Sequence, residues 1–258
     1  MPLTAVPATP SVRTLLVRGM LAGVPAGLAA AVFAYLVGEP AIDGGIAFER
    51  HGAEAHVHAV EAHAAEAQSE LVSRGVQSTI GLLVALLLYG VAIGGILALV
   101  YAAARGRVGP VRPRTAAAVL ALVGFVVVML VPFLKYPANP PGTSNADSIG
   151  QRTGVYLVML LCSVLVAVLA TALAHHLATR TGKPTAIVVG VAAYLLVMLV
   201  IGALLPPVNE TPVDLPATLL YEFRVASLGM HLALWAVLGL VFAALVEPRR
   251  RQRDRIGL

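Results

Sequence analysis

The chain has few of the residues on which soluble enzymes and disulfide-rich secreted domains depend. It contains one cysteine, Cys162, inside an apolar run, so a disulfide framework and a cysteine-based metal cluster are both excluded. Only 12% of its 258 residues are charged and 5% are aromatic, whereas 59% are hydrophobic. A soluble domain of this size does not tolerate such a balance. The composition therefore indicates an integral membrane protein.

The sequence motifs of several enzyme classes are also missing. There is no glycine-rich ATP-binding loop with its lysine, no HExxH zinc-protease motif and no GxSxG nucleophile motif. No Asp or Glu lies deep in an apolar run, which removes the usual proton carrier of proton-coupled exchangers. The sequence thus predicts a protein that is not an enzyme and that holds no cofactor, apart from a metal ion as cargo.

Six apolar runs are each long enough to cross roughly 30 Å of hydrocarbon. They cover about residues 15–37, 78–104, 115–134, 153–177, 185–205 and 225–246. An even number places both termini on one side of the membrane. If that side is the cytoplasm, thirteen of the eighteen Lys and Arg lie inside and eleven of the thirteen Asp and Glu lie outside, as the positive-inside rule requires.

These runs predict an all-α integral membrane protein with six transmembrane helices, arranged as three helical hairpins, and with cytoplasmic N- and C-termini. Each outer connection begins with a proline-bearing segment and ends with an arginine: Arg74, Arg152 or Arg224. An arginine at a helix start opposes the macrodipole, so each is expected to have a carboxylate or carbonyl partner in the outer loops. Ordinary interfacial anchoring is the alternative.

The predicted organisation has three parts. Residues 1–14 form a disordered arm, residues 15–247 the six-helix membrane domain, and residues 248–258 a basic cytoplasmic tail. The first run carries Gly19, Gly23 and Gly27 at steps of four, a small-residue ridge that predicts close packing against another helix.

Residues 39–74 form the one long polar interval, predicted to be an outer loop rich in histidine and acid. It holds seven carboxylates and four of the seven histidines. No proline interrupts residues 41–73, so the interval is predicted to be largely helical, with Gly44, Gly45 and Gly52 as weak points. One ridge of this helix repeats at steps of three, four and three, which lets neighbouring side chains share a cation. This ridge consists of His51, Glu54, His58 and Glu61.

The other flank of the same helix spaces its candidates seven residues apart, roughly 10 Å by helical rise, too far for two of them to share an ion. It consists of Glu49, His56, His63 and Glu70, of which the two histidines are secondary metal candidates. Imidazole and carboxylate suit borderline divalent transition metals, and protonation of imidazole is expected to weaken capture below about pH 6. A solvated acidic helix with incidental surface histidines is the alternative interpretation.

Two further regions are candidates for contact with an ion. His231, about two turns into the last run and followed by Trp235, is the deepest ionisable residue and a candidate by its depth. A neutral imidazole bonded to a neighbouring carbonyl is the alternative. The outer connections 133–141 and 205–216 are dense in proline, which favours either an external vestibule that receives the ion or ordinary solvated turns. Their polar residues are Asn139, Asn209, Glu210 and Asp214.

Several longer strings resemble the probable cobalt transporter subunit family known as CbtA, from about Leu15 to Glu247. They include LLVRGMLAG, VGEPAIDGGIAFE, ELVSRGVQSTIGLL, VPFLKYPANPP and LLPPVNETP. The resemblance implies a subunit of a cobalt uptake system in the bacterial cytoplasmic membrane, often accompanied by a small single-span partner that bears histidines. The family is commonly described with five spans, whereas charge and parity here predict six.

The favoured hypothesis is a permease subunit that captures Co²⁺ at the external face and passes it inward. Ni²⁺ is the alternative ion, since the same ligands serve both. The rival hypothesis is a non-conducting membrane metal-binding or scaffold subunit that delivers metal to a partner transporter. The predicted partners are the lipid bilayer and the single-span subunit, with a homo-oligomer left open. Nucleic acid is excluded because the basic residues lie at the ends of apolar runs.

Overall fold

A computed structural model describes residues 10–57, 73–107, 111–141, 143, 148–209 and 211–247, with the side chains of residues 52–57 outside the description. The predicted arm, apart from residues 10–14, and the basic tail 248–258 therefore lie outside it, as do residues 58–72 of the polar interval. The described chain is helical, and it contains no strand in any of these ranges.

Six long helices account for the six apolar runs. Helix α1 spans Val12–Phe33 and continues through a π-helical turn, Ala34–Gly38, into Glu39–Val57. The other five are α2 (Arg74–Ala104), α3 (Pro113–Lys135), α4 (Ile149–Thr181), α5 (Lys183–Leu204) and α6 (Ala217–Val246). All six are long and apolar enough to cross a membrane by length and composition. The prediction of an all-α membrane protein with six transmembrane helices is confirmed.

Several helices extend beyond the predicted apolar runs. Helix α1 continues past residue 37, and the predicted weak points Gly44, Gly45 and Gly52 lie inside an uninterrupted helix. Helix α6 begins at Ala217, so Arg224 lies about two turns inside it and not at its entrance. The reason is that hydropathy detects only the segment that matches the hydrocarbon, whereas a helix continues until its backbone hydrogen bonding ends.

The helices belong to two compact units, which we describe separately. The first comprises Met1–Phe33, Val72–Val123 and Leu232–Leu258, and the second Ala34–Leu71 and Gly124–His231. Helix α2 thus belongs to the first unit and helices α4 and α5 to the second, while α1, α3 and α6 contribute one section to each.

In the first unit, α1 and α2 pack with their backbones in direct contact. A β-carbon built on Gly23 would lie 2.2 Å from the carbonyl oxygen of Gly90, and one on Gly19 would lie 2.2 Å from that of Gly94. One on Gly27 would lie 2.4 Å from the carbonyl oxygen of Leu86. Small residues allow this approach and the weak Cα–H to carbonyl contacts that accompany it. The predicted close packing of the glycine ridge is confirmed.

The section of α6 in the first unit packs on α3 and α2. A β-carbon built on Gly239 would lie 2.9 Å from the β-carbon of Ala121, so the two helices approach closely there. The Phe242 ring meets Tyr101 edge to face at 5.4 Å between centroids. Apolar shape complementarity thus holds this unit together.

In the second unit, α4 packs on α5 at Gly190, where a β-carbon would lie 2.9 Å from that of Ala174. A contiguous buried cluster joins these helices to the second half of α3. Its members are Val127, Tyr136, Met159, Tyr194 and Met198. Tyr136 follows the end of α3 directly, so this core extends from the middle of the helices to their ends.

Candidate metal-binding and entry site

Three segments of the second unit meet at one end of its helices, which we name the proline-rich end: the described residues of 39–48, 136–143 and 205–224. The glycines of the α1 extension make the contact possible. A β-carbon on Gly45 would lie 3.1 Å from the β-carbon of Pro140, and one on Gly44 would lie 2.8 Å from a terminal methyl of Leu219. The two glycines predicted to weaken the helix therefore serve as its docking surface.

One hydrogen bond joins the two proline-dense connections, and another stabilises the first of them. The Tyr136 hydroxyl donates to the carbonyl of Pro206 at 2.8 Å across the two connections, and the buried Thr143 hydroxyl donates to the carbonyl of Pro140 at 2.7 Å within one. Burial raises the pKa of the Tyr136 phenol above its ordinary value of about 10, so it remains a donor at physiological pH. Proline removes the backbone donors of these segments, and side-chain hydroxyls supply donors to their carbonyls instead.

Arg224 fastens helix α6 to the first of these connections. Its Nη2 donates to the Asn139 side-chain oxygen at 3.0 Å, and its Nε lies 3.4 Å from the carbonyl oxygen of Ala138. The expectation of a carbonyl partner in a loop is confirmed for Arg224, and the placement of that loop on the outer side stays a prediction. Asn139 consequently has a structural partner, so its role as an ion ligand would compete with this bond. Asn209 and Asp214 are exposed, and Glu210 lies outside the described residues.

His51 is the one member of the predicted metal ridge whose side chain is described. It is exposed, and its Nδ1 lies 2.7 Å from the carbonyl oxygen of Ala47, one turn earlier in the helix. Because a carbonyl can only accept, Nδ1 carries a proton in this bond, which leaves Nε2 as the ring nitrogen that can bind a metal. Metal-binding histidines typically have this arrangement.

Of the other ridge and flank residues, Glu49 is exposed on the described helix and Glu70 lies outside the described residues. Glu54 and His56 lie on the described helical backbone with side chains outside the description, and His58, Glu61 and His63 lie wholly outside it. Across the described ranges, no group of three or more His, Cys, Asp and Glu side chains could hold a metal ion. The ridge stays a prediction.

His231 is partly buried in α6, and its Nδ1 donates to the carbonyl oxygen of Ser227 at 2.8 Å, one turn earlier. The expected bond to a neighbouring carbonyl is confirmed. Trp235, one turn further along, is buried. A role for His231 as a metal ligand stays a prediction.

Besides Thr143, two buried polar side chains of the second unit were not predicted to be buried from the sequence. Glu39 is 8% exposed and Ser163 is fully buried. Glu39 follows directly on an apolar run and precedes a proline, which was a signal that it lies at the end of a span. Ser163 carries no such signal of its own. Its partners come from other helices.

Comparison with protein families identifies the chain. A family model described as probable cobalt transporter subunit (CbtA) matches residues 12–247, nearly the whole chain. The chain belongs to this family. Comparisons with curated proteins and with solved structures give no match.

Membership of the CbtA family agrees with the six apolar helices, and together they establish a multi-pass membrane protein that is a subunit of a cobalt transport system. The word subunit implies partner proteins in that system. A transporter subunit is generally non-enzymatic, in agreement with the absence of catalytic motifs from the sequence.

Proposed function

We propose that this CbtA-family chain captures Co²⁺ at the external face of the bacterial cytoplasmic membrane and passes it inward. The observation that carries the proposal is the continuation of α1 as helix to Val57, with His51 oriented by its bond to Ala47. A histidine fixed in this way presents a metal-binding nitrogen on a platform that is continuous with a span. Fixed orientation lowers the entropy lost when a metal binds.

The proposed ligands extend from His51 along the same helical ridge to Glu54, His58 and Glu61. Glu54 lies three residues after His51 on described helical backbone, so both belong to one face. His56, His63 and His231 are secondary candidates. Imidazole and carboxylate together suit Co²⁺, with Ni²⁺ as the alternative ion.

The distribution of charge supports the external placement of this ridge, because thirteen of eighteen basic residues lie at the opposite ends of the spans. In that orientation the membrane potential drives a cation inward, with about 2.3 kcal/mol per charge per 100 mV. Entry of a divalent cation thus needs no ATP. We further propose a small single-span, histidine-bearing subunit as the partner, with a homo-oligomer as the alternative assembly.

Calorimetry of Co²⁺ binding to the purified chain tests the ridge. Replacing His51, Glu54, His58 and Glu61 together with Ala is expected to weaken binding severalfold, because it removes all four proposed ligands. The other flank provides a matched control, since replacing Glu49, His56, His63 and Glu70 removes the same residue types and charge. Unchanged affinity in the first variant, or equal losses in both, would contradict the ridge.

Uptake of labelled cobalt into vesicles that contain only this chain separates conduction from delivery. Inward flux that depends on an inside-negative potential supports a conducting subunit. Zero flux with intact Co²⁺ binding supports the non-conducting subunit that hands metal to a partner.

A further inference from the structure

A buried polar group lies near the middle of α3, α4 and α5 in the second unit. The Ser163 hydroxyl oxygen lies 2.6 Å from the carbonyl oxygen of Val127 and 2.8 Å from the hydroxyl oxygen of Tyr194. Ser163 is fully buried, and Tyr194 and Val127 are each less than 9% exposed. Three oxygen atoms from three helices thus meet at a depth where the surroundings are apolar.

The positions of the protons in this group follow from its chemistry. A carbonyl can only accept, so the Ser163 hydroxyl donates to Val127. The only proton of the Ser163 hydroxyl is used in this bond. The Tyr194 hydroxyl must therefore donate to the Ser163 oxygen. The group is therefore a short directed chain in which Ser163 is both donor and acceptor.

Pro132 explains why the Val127 carbonyl accepts a side-chain bond. Residues 125–130 are π-helical, and the N–H of Val131 bonds to the carbonyl of Val126, five residues earlier. With the same spacing of five residues, the backbone N–H that would bond to the Val127 carbonyl is that of residue 132. Proline has no N–H, so Val127 lacks this backbone donor and Ser163 supplies one. π-Helical turns are frequent at functional sites.

Further donor atoms lead from this group toward the proline-rich end. Met159 and Met198 are each one helical turn, about 6 Å, from Ser163 and Tyr194 in that direction. Both are buried in the same cluster as Tyr136. The Tyr136 hydroxyl, bonded to Pro206, lies at the outermost position of this cluster.

We infer that this row is the route of the transported cation, and that the Ser163, Tyr194 and Val127 oxygens bind it near mid-depth. The inference rests on the proposed inward passage of Co²⁺. A dehydrated cation in hydrocarbon needs donor atoms to replace its water, and the donors must bind weakly enough to release it. Neutral oxygens and thioethers meet both conditions. The cation takes the place of the Tyr194–Ser163 hydrogen bond. Without a cation, this hydrogen bond joins the two hydroxyls directly.

Absorption spectroscopy tests the binding site independently of transport. In a Cys162→Ala background, Ser163→Cys places the chain's only thiol in the site, and Co²⁺ is expected to produce a thiolate-to-cobalt charge-transfer band. Thr171→Cys in the same background is the control, because Thr171 is exposed on the same helix. A band for Ser163→Cys alone supports the site. No band in a natively folded Ser163→Cys variant, or equal bands in both, overturns it.

Labelled-cobalt uptake tests the route. Tyr194→Phe and the pair Met159→Leu with Met198→Leu are expected to reduce uptake severalfold. The controls Tyr35→Phe and Met20→Leu change exposed side chains outside the proline-rich end and are expected to transport as the wild type does. Wild-type uptake in the Tyr194 and Met variants overturns the route. If the Ser163→Cys variant gives a cobalt band but the wild type takes up no cobalt, the proposed conduction is wrong. The binding site at Ser163 is still supported in that case.

Discussion

The two units of this protein differ in the contacts that join their helices, although a glycine also brings α4 and α5 of the second unit close together at Gly190. In the first, α1 and α2 pack so closely that Gly23 and Gly90 leave no room for a single added carbon. In the second, α3, α4 and α5 meet through the hydroxyl of Ser163 and the long thioethers of Met159 and Met198. Backbone contact has one geometry, whereas hydroxyls and thioethers can exchange partners. We therefore expect the backbone contacts of the first unit to tolerate substitution less well than the side-chain contacts of the second.

The largest effect is expected from filling the glycine interface. Gly23→Ala places a β-carbon 2.2 Å from a backbone oxygen, so the helices must separate, at a cost of about 1–3 kcal/mol or more. Thermal unfolding in detergent, followed by the fluorescence of the single tryptophan, Trp235, measures this loss.

Gly154→Ala is the matched control, because nothing lies within 4 Å of the added carbon in helix α4. It is expected to leave stability unchanged or to raise it by up to about 1 kcal/mol through helix propensity. Equal destabilisation by the two substitutions would contradict the view that close approach makes Gly23 special.

A second, smaller effect is expected at the polar group of the second unit. Ser163→Ala leaves the Val127 carbonyl and the Tyr194 hydroxyl without the bonds that Ser163 makes, at a cost of about 1–3 kcal/mol. Tyr194→Phe leaves Ser163 bonded to Val127 and is expected to cost less, about 0.5–1.5 kcal/mol. Thermal unfolding of both variants measures the difference.

Pro132→Ala sharpens this test, because it restores a backbone N–H within reach of the Val127 carbonyl. Ser163→Ala should therefore cost less in the Pro132→Ala background than in the wild type, as a double-mutant cycle reports. Additive effects would show that the missing donor at Pro132 is not the reason for the serine bond.

The smallest effect is expected at the proline-rich end. Arg224→Lys keeps the charge but loses the planar fork that reaches Asn139 and Ala138, and it is expected to cost about 1 kcal/mol. A double-mutant cycle with Asn139→Ala isolates the side-chain bond through the midpoint of unfolding. Zero coupling would mean that the bond between Arg224 and Asn139 does not stabilise the fold.

The predictable features were those that depend on one segment at a time. The six spans follow from hydropathy, and the close packing at Gly19, Gly23 and Gly27 follows from residue size. The predicted helix in the polar interval is confirmed from Glu39 to Val57, because alanine content and the absence of proline signal it, whereas the start of α6 was placed too late because its polar first turns give no hydropathy signal. The polar group at Ser163 was missed because each of its members looks ordinary alone.

By itself, the sequence determined that this is a six-helix membrane protein of the CbtA family, with its acids and histidines gathered in one interval. Composition and charge suffice for this, because the free energy of inserting a span depends mainly on that span's own residues. The tertiary structure alone decided that Ser163 meets Val127 and that Arg224 meets Asn139, pairs that lie 36 and 85 residues apart. Such pairings depend on the rotation and tilt of each helix against its neighbours, which packing sets and hydropathy does not.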